Sequence, residues 1–170
     1  MFGHALQAGS IGALRLRNRI IMGSMHLGIE RDAAALAAFY AARARGGAGL
    51  IVTGGSAVNR NGAGGVNYSL INDDASATPL RAAAEAVHAA GGRIALQLFH
   101  AGRYAFKESY GLQPVAPSPI PSRFSPDPPR ALSDAEIRET IVDFGRGALR
   151  ARELGYDAVE VMASEGYLLN

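Results

Sequence analysis

The amino-acid sequence predicts an α/β fold on a parallel sheet, either doubly wound or closed as a barrel. Three observations lead there. Predicted strands and helices alternate in the order βαβαβαβ, the signature of parallel strands joined by helical crossovers. Each strand is short and mostly apolar, as expected of strands covered on both faces. The unusual polar and glycine-rich features all lie just past the C-terminal ends of strands, where barrels and doubly wound sheets alike build ligand sites. A length of 170 residues, 48% hydrophobic and 19% charged, suits one globular domain spanning residues 1–170.

Each element has a local reason. Residues 18–22 read as a short buried strand. Residues 32–45 read as a helix, with Asp32 able to cap its start and Gly46-Gly47 to end it. A second buried strand comes at 49–53. Pro79 is suited to open the next helix, which runs to His88 and stops at Gly91-Gly92. Residues 93–99 make the third strand. Residues 100–130 then form a long irregular stretch holding seven of the eight prolines, a length of loop that is usually functional or disordered. A capping-box pattern, Ser133 to Glu136, starts the last helix, to which Ile137, Ile141, Phe144, Leu149 and Leu154 give an apolar side. Residues 157–162 are the fourth strand. Ile20, Ile51, Leu96 and Val159 are candidates for the inner faces of the four strands.

Composition narrows the function. No apolar run is long enough to span a membrane, and the N-terminus lacks a signal-peptide pattern. The absence of cysteine leaves no disulfide, thiolate metal site or iron–sulfur cluster in this segment, and it fits a reducing cytoplasm. The net charge is +2, and the basic residues, all arginine except Lys107, are scattered, so they read as solvated helix faces rather than a nucleic-acid footprint. No G-x-G-x-x-G comes after the first strand, and residues 62–65 (GAGG) match no phosphate-binding motif and read as a turn. Asp73-Asp74 reads as a helix start or turn, and no metal site is expected.

The segments just past the strands carry the chemistry. Gly23, Ser24, Met25 and His26 come after the first, and Gly54-Gly55 after the second. Gln97 lies near the end of the third, with His100 and Arg103 beyond, and Glu165, Gly166 and Tyr167 come after the fourth. Each has a purely structural alternative. Gln97 could be a core amide, His26 a turn cap, Tyr167 a core aromatic and the glycines turn residues. Glycine is also what close backbone approach to a flat ligand requires. His100 and Arg103 are read as braces of the long loop.

Residues 18–26 (NRIIMGSMH), 51–55 (IVTGG), 94–103 (IALQLFHAGR) and 159–170 (VEVMASEGYLLN) resemble successive blocks of the Old Yellow Enzyme family, closest to its bacterial NADPH-dependent 2,4-dienoyl-CoA reductase branch. The four blocks run in order along the whole chain. The resemblance implies an eight-stranded (β/α)8 TIM-type barrel carrying FMN at its C-terminal mouth, of which about the first four β/α units are present. It assigns Ser24, Met25 and His26 to the segment along the flavin, with His26 near its N5/O4 edge. It assigns Gly55 to a backbone contact with the rings and Gln97 to the pyrimidine side. Tyr167 becomes the acid that protonates substrate carbon while flavin N5 gives a hydride, with NADPH as the reductant. Many ene-reductases of the family have a His-x-x-His or His-x-x-Asn pair before this tyrosine. Met162 and Glu165 stand at those places here, which points to a dienoyl thioester rather than a simple enone.

The same resemblance places the flavin-phosphate site, a second catalytic histidine and an FMN-contacting arginine beyond residue 170. Any iron–sulfur cluster belongs in that C-terminal part too. The expected partner is a small-molecule substrate, with no nucleic acid and no membrane. The rival reading is a non-catalytic half-barrel that self-associates through open edges or binds flavin weakly. An unrelated phosphate-handling α/β enzyme is a third reading.

Overall fold

The computed structural model describes residues 2–170. Its first element is a hairpin that the alternating pattern of strands and helices does not predict. β1 (Gly9–Ile11) pairs antiparallel with β2 (Leu14–Leu16). Leu14 and Leu16 pack against Leu50, Val52, Ala95 and Ala158, near the starts of three later strands, and so cover that end of the sheet.

The main sheet comes next. β3 (Ile21–Met22), β4 (Leu50–Val52), β7 (Ile94–Phe99) and β10 (Ala158–Val161) lie side by side, all parallel, in that order. Between β4 and β7 in the chain, two short strands, β5 (Ser56–Ala57) and β6 (Ser69–Leu70), extend the sheet at the C-terminal end of β7. β8 (Val115–Ala116) and β9 (Arg130–Ala131) pair with each other and tie the two ends of the proline-rich stretch together. Within it, Ser125 Oγ donates to the Ala105 carbonyl at 3.1 Å and Lys107 N–H to Asp127 at 3.0 Å, so the segment is held by its own hydrogen bonds.

Three long helices cover one face: α1 (Ala33–Arg45), α2 (Asp74–Ala89) and α4 (Asp134–Glu153); the short α3 (Lys107–Tyr110) lies in the loop. The main core is the layer between sheet and helices, where Ile51, Ile94, Leu96 and Leu98 meet Leu36, Tyr40, Leu80, Val87 and Leu154. Ile51 and Leu96 are expected from sequence on the inner face. They are fully buried on the helix side instead, because side chains alternate and the inner positions are Leu50, Val52, Ala95 and Gln97. Val159 is in register with Leu96 and so shares the helix side.

Two further expectations are corrected. α2 starts at Asp74, not at Pro79, because Asp73 caps it by accepting from Ala75 N–H at 3.1 Å. Pro79 sits buried inside the helix, where its ring removes one intrahelical donor. Of the apolar side expected on α4, Phe144 and Leu154 pack into the core, whereas Ile137, Ile141 and Leu149 are exposed, and the buried positions within the helix are Thr140, Gly147 and Ala151. Close approach selects the small residues: a Cβ on Gly147 would come within 3.2 Å of Ile71 and Leu98. The capping box is formed as expected. Among the described residues no helix is long and apolar enough to cross a membrane.

Candidate functional site

The site begins with an irregularity between β4 and β5. Both run beside β7, but three residues, Thr53 to Gly55, separate Val52 from Ser56, while two, Leu96 and Gln97, separate their partners Ala95 and Leu98. The extra residue makes a bulge, a device common next to active sites. Here the ladder is replaced by other contacts: Gly54 N–H donates to the buried Tyr40 hydroxyl at 3.0 Å, and Gln97 N–H to Thr53 Oγ1 at 3.3 Å. The two glycines are required by contact. A Cβ on Gly54 would stand 2.6 Å from the Met25 carbonyl oxygen; one on Gly55 would stand 2.8 Å from the Phe99 ring and 3.0 Å from Gln97 Oε1.

Gln97 and Phe99 alternate onto the inner face of β7. Gln97 is buried, and its Nε2 donates to Glu160 Oε1 of β10 at 2.6 Å and approaches Met162 Sδ at 3.6 Å. Glu160 thereby orients the amide. On the β3 side, His26 Nδ1 lies 2.9 Å from Glu30 Oε1, and its ring stacks on Tyr68 with centroids 4.1 Å apart and planes 2° from parallel. Burial, reinforced by the Glu30 carboxylate, raises the Tyr68 phenol above its usual pKa.

After β10 the chain turns through Glu165 and Gly166, both left-handed with φ 65° and 81°. Glu165 is the one non-glycine residue with positive φ among the described residues, a conformation that clusters at functional sites. The turn carries Tyr167 back over the sheet. Its ring meets Phe99 and Tyr104 edge-on, at centroid distances of 6.0 and 5.3 Å. Burial is the main reason its phenol pKa is raised, with the neighbouring Tyr68, Glu165 and Tyr104 adding to it.

These pieces enclose one cleft of about 210 Å3. Ser24, Met25, His26, Gly55, Gln97 and Tyr167, the six residues singled out in the sequence, all line it, joined by Tyr68, Phe99, Met162 and Glu165. A second cavity of about 410 Å3 shares Tyr68, Phe99, Glu165 and Tyr167 with the cleft and continues between Tyr104, Phe106 and Phe124. His100 does not enter the cleft. It is buried on the far side, Nδ1 accepts from Gly102 N–H at 3.0 Å, and burial lowers its pKa to about 4, so it braces the loop as a neutral ring. Arg103 likewise stays outside the cleft, 5.5 Å from the Tyr104 ring. Sequence reasoning passes over Tyr68, Glu30 and Glu160. Glu30 carries a local signal, four residues after His26; Tyr68 carries none.

Comparison with known proteins agrees with this architecture. The chain is 45% identical to a metal reductase of Desulforamulus reducens, over 94% of this chain and 24% of that protein. It is 37% identical to an NADH oxidase of Thermoanaerobacter brockii, over 99% of this chain and 27% of that protein. Among solved structures, morphinone reductase in complex with tetrahydroNAD superposes with a TM-score of 0.89 at 33% identity, covering 96% of this chain and 50% of that one. The old yellow enzyme homologue from Zymomonas mobilis superposes with 0.86 at 32%, covering 96% and 49%. The chain thus spans about a quarter of the length of the two relatives and half of the two solved structures. The NADH:flavin oxidoreductase / NADH oxidase family matches residues 9–170, and with an ordered parallel α/β sheet, one cleft at its strand ends and old yellow enzyme neighbours, this chain belongs to that family.

Proposed function

We propose that the cleft holds FMN and that the protein reduces an activated C=C bond with NADPH, a 2,4-dienoyl thioester being the favoured substrate. One observation carries this reading: residues from four strand ends line a single cleft with a half-buried, protonated phenol at its rim. The residues fit the group. Gly55 offers the cleft bare backbone, which suits a flat ring system, and a Cβ there would press on Gln97 and Phe99, which also line the cleft. Gln97, oriented by Glu160, offers a carbonyl and its remaining N–H to a heterocycle with both donors and acceptors. Ser24, Met25 and His26 line the same cleft, with the backbone of Met25 and His26 against Gly54. Bound FMN would supply hydride transfer at N5, from NADPH to the substrate carbon.

The chain's own contribution is orientation and a proton. Tyr167 keeps its proton throughout the neutral range, because burial disfavours the phenolate. A raised pKa makes it a weaker acid, so it gives up the proton only to a strongly basic carbon centre, which suits addition to a polarised double bond. The thioester assignment rests on the resemblance at Met162 and Glu165.

The test is direct. Protein carrying this chain is expected to be yellow and to hold FMN, and to oxidise NADPH faster with a dienoyl thioester than with a simple enone. Gln97→Leu should weaken FMN retention by roughly tenfold or more, since leaving a buried polar group without its partner costs about 1–3 kcal/mol. Equal retention in the variant removes Gln97 from the flavin site. Equal turnover of both substrates removes the thioester preference.

A second reading rests on a different observation. Ile21 and Val161, on the two end strands of the main sheet, are each 49% exposed. Such end strands suit a half-barrel that associates with a second copy.

A further inference from the structure

Glu30 is a buried carboxylate, 7% exposed, that does not line the cleft. Its Oε1 accepts from Leu27 N–H at 2.6 Å and stands 2.9 Å from His26 Nδ1, while Oε2 is buried without a partner among the described residues. An ionised carboxylate only accepts, and it suits two short hydrogen bonds on one oxygen. The proton of the Glu30–His26 contact therefore belongs on Nδ1. A neutral imidazole has one ring proton, so Nε2 is left with a lone pair. Glu30 sets how the ring is turned within its plane, and the parallel Tyr68 ring at 4.1 Å holds the plane itself.

We propose that Glu30 is a positioning residue that holds His26 as the Nδ1–H tautomer, so that the cleft meets an Nε2 acceptor rather than an N–H donor. The cleft then prefers a ligand that brings an N–H to that place. The tautomer is a property of this chain alone; only the identity of the ligand rests on the flavin reading. Of a flavin's two stable forms, the reduced one carries an N–H at N5 and the oxidised one does not. With N5 beside His26, as the family resemblance implies, the acceptor favours the reduced form and raises the potential.

Two other histidines provide internal controls. His100 accepts at Nδ1 and His88 meets Asp157 through Nε2 at 2.8 Å, so both belong to the opposite, Nε2–H tautomer when neutral. The experiment is nitrogen NMR of the histidine rings in the 15N-labelled protein at about pH 8.5, where an ordinary imidazole is neutral. The His26 signal is assigned by its loss in His26→Gln. The wild type is expected to show a protonated Nδ1 and a bare Nε2 at His26 alone among the three. Glu30→Leu should reduce the Nδ1–H to Nε2–H ratio at least about tenfold, as loss of a charge-assisted hydrogen bond requires. Glu30→Gln retains a carbonyl acceptor and should preserve the wild-type pattern. An Nε2–H tautomer at His26 in the wild type overturns the proposal, whatever the variants do. So does a folded Glu30→Leu protein with an unchanged ring. In FMN-loaded protein, Glu30→Leu should lower the flavin potential by about 30 mV for each tenfold loss of preference for the reduced form. An unchanged potential overturns the ligand contact, and failure to hold FMN at all counts against the flavin reading while the ring signals still decide the tautomer.

Discussion

Tyr167 shows how a single side chain takes its character from its surroundings. The phenol is partly buried between Phe99 and Tyr104 and has acidic Glu165 beside it, so burial and neighbours push in one direction, toward retention of the proton. Replacement by phenylalanine keeps the ring and its edge-on contacts and removes only the hydroxyl with its proton. Tyr167→Phe is expected to slow substrate reduction by roughly 10²–10⁴-fold, the usual span for a general acid. Flavin reduction by NADPH should hardly change, since the phenol acts in the other half-reaction. Stopped-flow measurement of the two halves separates them, and equal slowing of both would remove Tyr167 from the acid role. The pH dependence has a definite sign as well. A raised pKa keeps the acid form to higher pH, so the alkaline loss of substrate reduction should fall above about pH 10, the ordinary phenol value.

At the scale of elements, one device shapes the site and another fixes the start of α4, and both can be broken. The bulge at Thr53 to Gly55 brings the backbone against Gln97 and Phe99 with no room for a methyl group. Gly55→Ala should therefore push on the Phe99 ring and the Gln97 amide together. It is expected to lower FMN affinity with little loss of helix content, measured by flavin titration beside circular dichroism; unchanged affinity would show that the wall tolerates a side chain. The second device is the start of α4. Ser133 and Glu136 satisfy each other's backbone donors, and Arg130 holds Glu136 from the β9 side, so that bonding to Arg130 and then to Ser133 brings the carboxylate pKa down to about 2. A depressed folded-state pKa stabilises the protein above the ordinary carboxylate value and loses that contribution as pH falls toward 2. Ser133→Ala should cost about 1 kcal/mol in denaturant unfolding, and acid titration should weaken the remaining cap over that same interval.

The whole molecule has one covered face and two open sheet edges. The helix side of the sheet is covered by α1, α2 and α4. At its two ends β3 pairs only with β4 and β10 only with β7 among the described residues, so each has a bare hydrogen-bonding edge. Exposed apolar side chains lie along these edges: Ile20 at 45%, Val159 at 37% and Val161 at 49%. Bare edges and apolar patches favour association. Expressed as these 170 residues alone, the protein is expected to self-associate or to be poorly soluble, and to lack NADPH-dependent reductase activity. Light scattering and a turnover assay decide both points. An active monomer would mean that the cleft works without further cover.

The order of the parallel strands, the capped starts of α1 and α4 and the strand-end places of six of the ten cleft residues were legible in the sequence by itself, because each depends on neighbours in the chain. A cap needs a side chain within three residues, and a strand end is marked where an apolar run meets glycine and polar residues. Features that depend on register were not legible. The bulge exists only in the comparison of 52–56 with 95–98, and it is pairing across strands that turns Ile51 and Leu96 toward the helices. On α4 Phe144 and Leu154 pack as hydrophobic periodicity suggests, but the closest contacts go to Thr140, Gly147 and Ala151, because at Gly147 the sheet leaves no room for a larger side chain, which no periodicity of hydrophobicity reports. Tyr68 stacks on His26 across α1, β4 and β5, a separation no local pattern can record. The chemistry-bearing residue types were thus set locally, while their mutual orientation came from contacts between segments that only the folded chain brings together.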